Sequence, residues 1–220
     1  MPRSFLKPSL PHRPATRRRP WLAVGLLLAG AVAGHASAQT GHDSAPARAQ
    51  RIATQVCAAC HGTQGQNADL TFPRLAGQNA EYLAKQLGAF QHDRRVSSAM
   101  AHSTTPLTPD EMLALGQFYQ RQPTGRTPAT QLHLAARGQY LYHVGNPATG
   151  VPACASCHGP QALGQANLPR LAGQSPAYLR EQLRQFAQGG RTNDQGQMHA
   201  TTRAMTDDEM AAVAEYLGSR

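Results

Sequence analysis

Two clusters of thiol and imidazole side chains stand out in this 220-residue chain: Cys57-Ala-Ala-Cys60-His61 and Cys154-Ala-Ser-Cys157-His158. They hold all four of its cysteines. Structural disulfides are one use for cysteines in an exported protein. A thioredoxin-like redox pair is another, but neither cluster sits in a βαβ pattern. Four thiolates could hold one zinc ion, which leaves the histidine after each pair without a purpose. Covalent haem attachment uses every position of C-x-x-C-H. Two cysteines three apart share a helical face, so both can form thioethers with the vinyl groups of one porphyrin. The histidine that follows then lies under the ring and offers its imidazole to the iron. Two such motifs in one chain predict two covalent haem c groups. Cys57, Cys60, Cys154 and Cys157 would attach them, and His61 and His158 would be axial iron ligands.

Each iron then needs a sixth ligand. Five methionines follow residue 38: Met100, Met112, Met198, Met205 and Met210. Met112, Met205 and Met210 stand at helix-start packing positions, which leaves Met100 and Met198. These two match each other within a repeat, and both are expected in irregular stretches between helices. A thioether there can fold over the open haem face, and His/Met ligation suits electron transfer at raised potential. The competing ligands, His102 and His199, do not occupy matching positions. Pro73 and Pro169 sit where a carbonyl could receive the other ring nitrogen of each axial histidine. Arg74 and Arg170 could pair with haem propionates or stand as solvated surface charges.

The elements that must position these residues occur twice. Pro73-Arg-Leu-Ala-Gly-Gln78 returns as Pro169-Arg-Leu-Ala-Gly-Gln174. Tyr82, Leu83, Gln86, Leu87 and Phe90 return as Tyr178, Leu179, Gln182, Leu183 and Phe186, on the spacing of one helix face. Ser175-Pro176 opens the second copy of that helix as N-cap and first residue. The last helix of each unit has a capping box, Thr108-x-x-Glu111 and Thr206-x-x-Glu209, with a hydrophobic staple from Leu107 to Met112 and from Met205 to Met210. No segment alternates long enough for a strand. Two units of about 90 residues each are domain-sized, and the Pro- and Gly-bearing stretch 122–129 reads as their linker. The fold class is all-α: two tandem helical domains, 39–124 and 125–220, each wrapped around one covalent haem.

The first 38 residues are set apart by charge. They carry six of the 21 Lys and Arg and none of the 12 Asp and Glu, so the formal net charge of +9 falls to +3 over the rest. That remainder lacks the concentrated cationic face of a nucleic-acid binder. The basic residues precede an uncharged run from Trp21 to Ala33 and then Ala36-Ser37-Ala38. This is the pattern of a cleavable secretory signal over residues 1–38, too short in its apolar run for a spanning helix. Aromatic residues are only 5% of the chain, and haem would fill cores that side chains leave short.

Taken together, the haem motifs, the paired Pro-Arg-Leu-Ala-Gly-Gln segments, Tyr-Leu-x-x-Gln-Leu, Met100, Met198 and the stretch from Gly138 to Cys154 resemble the dihaem cytochrome c4 family. The resemblance covers nearly all of the chain after residue 38. It implies two class I cytochrome c domains about a pseudo-twofold axis with their haem edges close. It also implies a periplasmic electron carrier, often membrane-associated, that takes electrons from a quinol-oxidising complex or donor cytochrome and feeds a terminal oxidase. The alternatives are a cytochrome subunit of a larger oxidoreductase and a haem peroxidase. A peroxidase needs an open coordination site, and both units offer a methionine. The departures are modest: Phe72 becomes Leu168 in the second half, and Arg95 to Met100 is two residues shorter than Arg191 to Met198.

Overall fold

The computed structural model describes residues 44–67, 69 and 71–220. The expected signal over residues 1–38 lies outside them. Among the described residues there are helices and two isolated bridges, Asn146 to Val151 and Gln165 to Leu168, but no strand. Nor is any described helix long and apolar enough to cross a membrane.

Five helices form the first domain: α1 (Ala45–Ile52), α2 (Ala58–His61), α3 (Ala80–Gln91), α4 (Ser98–Thr104) and α5 (Pro109–Gln120). Five more repeat them in order: α6 (Leu132–Val144), α7 (Ala155–His158), α8 (Pro176–Ala187), α9 (Gln197–Thr202) and α10 (Asp207–Gly218). In each domain the last helix packs against both the first and the third. The first core gathers Ala49, Leu83, Leu107, Met112, Leu115 and Tyr119. The second gathers Leu141, Tyr142, Leu179, Met205, Met210, Val213 and Leu217. Methionines 112, 205 and 210 are therefore core residues at staple positions, as their spacing implies. Both capping boxes are complete, with Thr108 and Glu111, and Thr206 and Glu209, exchanging side-chain and backbone hydrogen bonds. Ser175 caps α8 through the Tyr178 N–H.

Small residues set the helix crossings. A Cβ on Gly138 of α6 would lie 1.9 Å from the Ala212 carbonyl oxygen of α10. Only a residue without a side chain allows that approach.

The domains differ where the first helix meets the haem motif. In the first, α1 runs through a π-helical segment, Ala53–Cys57, straight into α2. In the second, α6 ends at Gly145, and the loop carrying the Asn146–Val151 bridge leads to Cys154. The linker is bound to the second domain. Thr127 N–H donates to the Gly218 carbonyl, and Glu215 accepts from Thr130 and Gln131.

Candidate haem sites

Each C-x-x-C-H motif runs into one short helical turn, α2 or α7, with the first cysteine just before the turn and the histidine at its end. A glycine closes each turn with positive φ, Gly62 at 75° and Gly159 at 79°, a backbone state that costs glycine little. The chain thereby reverses, and the imidazoles point inward. His61 and His158 are buried. His61 Nδ1 lies 3.0 Å from the Pro73 carbonyl, and His158 Nδ1 lies 3.2 Å from the Pro169 carbonyl. With Nδ1–H donating there, each ring is in the tautomer whose Nε2 lone pair is free for a metal. Burial pushes both imidazoles below their ordinary pKa, against the smaller upward pull of those carbonyls. They are neutral at pH 7, which metal binding requires.

One continuous cavity of about 1040 Å³ runs through both domains. Cys57, Cys60, His61 and Met100 line it on one side, and Cys154, Cys157, His158 and Met198 on the other. All four thiols are free. Among the described residues no group of three or more His, Cys, Asp or Glu side chains could hold a metal ion, so the thiols do not converge on a zinc site. Burial raises the Cys57 thiol and pushes the Cys154 thiol up to about 11, so neither is a reactive thiolate. The buried Tyr119 hydroxyl faces the Cys57 thiol. The volume, the thiol pairs and the neutral imidazoles fit two haem groups.

Met100 and Met198 do not lie in irregular stretches, contrary to the sequence expectation. They sit on α4 and α9, each of which has its own local cap. Ser97 Oγ accepts from the Met100 N–H at 3.4 Å. Asp194 accepts from the Met198 N–H at 2.6 Å and from the Gly196 N–H at 3.2 Å. These helices were invisible in the sequence because six or seven residues show no helical period. His102 and His199 do not line the haem cavity. His102 lines a separate small pocket with Arg48 and Val56, and His199 Nδ1 lies 2.9 Å from the Phe186 carbonyl.

The domains meet through paired contacts. Gln174 Oε1 accepts from the Arg74 N–H at 2.8 Å, while its Nε2 donates to the Arg74 carbonyl at 2.8 Å. Gln78 treats Arg170 alike, at 2.7 and 2.9 Å. The Arg74 guanidinium donates to the Gly173 carbonyl and Thr127 Oγ1, and Arg170 Nε donates to the Ala172 carbonyl. These arginines are interface residues, and their guanidinium groups are not simply solvated.

Two more cations escaped the sequence reading. Arg95 donates to Gln86, Tyr178 and Gln182; Arg191 donates to Gln182, Tyr82, Gln86 and Asn193. Arg95 lies over the Phe90 ring and Arg191 over the Phe186 ring. Both line the cavity, and among the described residues no carboxylate pairs with either. Their signal was present as one more repeat match, 96 positions apart.

The cytochrome c family model matches residues 46–120 and 135–220. Cytochrome c4 from Thiocapsa roseopersicina is 42% identical over 188 residues, covering 80% of this chain and 96% of the relative. The chain belongs to the cytochrome c family, in its dihaem cytochrome c4 branch. The crystal structure of reduced recombinant cytochrome c4 from Pseudomonas stutzeri superposes with a TM-score of 0.74 at 31% identity, over 79% of this chain and 98% of that one. The thiosulfate dehydrogenase electron acceptor of Thiomonas intermedia is 38% identical, over 74% of this chain and 78% of the relative. The chain is accordingly a dihaem electron-transfer cytochrome with two covalent haem c groups in two tandem helical domains.

Proposed function

We propose that the chain is an exported periplasmic electron carrier, with residues 1–38 removed as a signal and domains at 39–124 and 125–220. Cys57, Cys60, Cys154 and Cys157 hold the porphyrins. His61 and Met100 would hold the first iron, and His158 and Met198 the second. When bound, the haem irons supply one-electron chemistry. The chain's own residues hold them still. The Pro73 and Pro169 carbonyls fix each imidazole's orientation, α4 and α9 carry the thioethers, and the apolar cores of both domains exclude water. One cavity lined by both histidines and both methionines carries this reading. A carrier of this build takes electrons from a quinol-oxidising complex or donor cytochrome, passes them to a terminal oxidase, and associates with the membrane surface peripherally.

The similarity to a thiosulfate dehydrogenase electron acceptor favours a second reading, in which a thiosulfate dehydrogenase is the donor. Stopped-flow mixing separates the two. The oxidised chain is mixed with reduced quinol-oxidising membranes, or with a thiosulfate dehydrogenase plus thiosulfate, and reduction is followed at the haem absorption band. Rapid reduction by the membranes alone supports the respiratory carrier, and rapid reduction by the dehydrogenase alone supports the second reading. Oxidation by terminal-oxidase membranes tests the downstream step. A reduced chain that binds carbon monoxide at once would refute the closed His/Met sites.

A further inference from the structure

The two segments that lead into α4 and α9, the helices bearing Met100 and Met198, are not tied to the rest of the molecule equally. Gln86, in α3 of the first domain and 5% exposed, directs its Oε1 toward the second domain. There it accepts from Arg191 Nη2 and Asn193 Nδ2, both at 2.9 Å. Arg191 Nε also donates to Asn193 Oδ1 at 3.0 Å, so the two donors are locked to each other. The next residue is Asp194, whose carboxylate holds the Met198 and Gly196 N–H groups. An unbroken series of hydrogen bonds and one peptide link thus joins a side chain of the first domain to the backbone of Met198.

The reverse path is thinner. Among the described residues Gln182, the repeat counterpart of Gln86, accepts from Arg95 and Arg191 only. Val96, at the position matching the start of the longer loop, is 84% exposed and brings no polar group. Met100 is held by a neutral hydroxyl at 3.4 Å rather than by a carboxylate at 2.6 Å. The longer loop also contains two successive residues with positive φ, Gln195 at 62° and Gly196 at 78°. A left-handed non-glycine residue persists only where its surroundings hold it. The longer segment holds both the left-handed turn, at Gln195 and Gly196, and the side chains that restrain it, Asn193 and Asp194.

We infer that Gln86 is a positioning residue for the second domain's sixth ligand: through Arg191 and Asn193 it holds the Met198 loop closed from across the domain boundary. The first domain therefore influences ligation in the second more strongly than the second influences the first. This inference rests on Met198 being an iron ligand. A hydrogen bond with a charged donor is worth more than a neutral one, so releasing Gln86 frees the loop measurably without touching the haem motif of the second domain.

Imidazole is the probe, because it displaces a thioether from an oxidised iron only when the methionine loop opens. The oxidised holoprotein is titrated with imidazole, and each iron is followed by its methionine methyl resonance and by its share of the near-infrared sulfur-to-iron band, both in the oxidised protein and assigned with Met100→Ala and Met198→Ala. Asn193→Ala should raise imidazole affinity at the second iron several-fold and leave the first unchanged. Gln86→Leu should raise it at the second iron about tenfold, and more than at the first. The pair should be non-additive in a double-mutant cycle. Gln86→Glu, which keeps the acceptor, should restore near-native affinity. A silent Asn193→Ala, a Gln86→Leu effect confined to the first iron, or strict additivity would overturn the coupling. If Met198→Ala removed no resonance and no band, the ligand assignment itself would fall, and the coupling with it.

Discussion

Gln174 closes a two-point clamp on the backbone of Arg74, one hundred residues earlier in the chain, with both hydrogen bonds at 2.8 Å. Gln78 makes the matching clamp on Arg170. The same hexapeptide thus serves twice, once as clamp and once as target. This is the reciprocal pattern of a twofold interface, produced within a single chain.

Removing either clamp should loosen the interface without dismantling a domain. Gln174→Ala is expected to cost about 1–3 kcal/mol, since it leaves two partly buried backbone groups of Arg74 without that partner. Differential scanning calorimetry should show a lower melting temperature for the single variant. Gln78→Ala with Gln174→Ala should split one cooperative transition into two. An unchanged single transition in the double variant would show that the clamps carry no interface energy.

Iron content tests the attachment sites. Cys57→Ala with Cys60→Ala should halve the iron of the purified chain and leave one haem-staining band that survives acid–acetone extraction. The equivalent pair at Cys154 and Cys157 should do the same. Full iron in either variant would exclude covalent attachment at that motif.

Ligation by methionine has its own signature. Met100→Ala and Met198→Ala should each remove about half of the sulfur-to-iron band, open one iron to carbon monoxide and lower that haem's potential. His102→Ala and His199→Ala should leave the band intact. A histidine substitution that altered the spectrum where the methionine substitution did not would make that site His/His.

The capping carboxylate of α10 gives a pH dependence with a defined sign. Burial pushes the Glu209 carboxyl upward, but hydrogen bonds from Thr206 and Asn146 prevail and hold it below the usual carboxylate range. Its contribution is therefore present above the ordinary glutamate pKa and is lost as pH falls through the lower folded value. Glu209→Gln should destabilise the second domain by about 0.5–2 kcal/mol at neutral pH. Chemical denaturation of variant and wild type should converge in acid. A difference that persisted undiminished at pH 2 would contradict the charge-based account.

The cofactor, the helical class and the tandem organisation were legible in the sequence because each is written locally and twice. C-x-x-C-H carries its chemistry in five consecutive residues, and the capping boxes act over four. The roles of the Pro73 and Pro169 carbonyls as partners of the two imidazoles were also within reach, since a carbonyl has to lie near each ring. The secondary structure around Met100 and Met198 was not, because helices that short are decided by a cap such as Asp194 rather than by periodicity. Least legible was the interface. Arg95 and Arg191 look like ordinary surface cations in the sequence. Only tertiary structure places them between the domains, against Gln86, Gln182 and two tyrosines, because those partners lie up to 109 residues away and nothing in local spacing encodes the distance. The repeat determines that two similar haem domains form. Packing one against the other decides which of their polar side chains face the partner, and the two-residue difference between the methionine loops makes that partnership unequal.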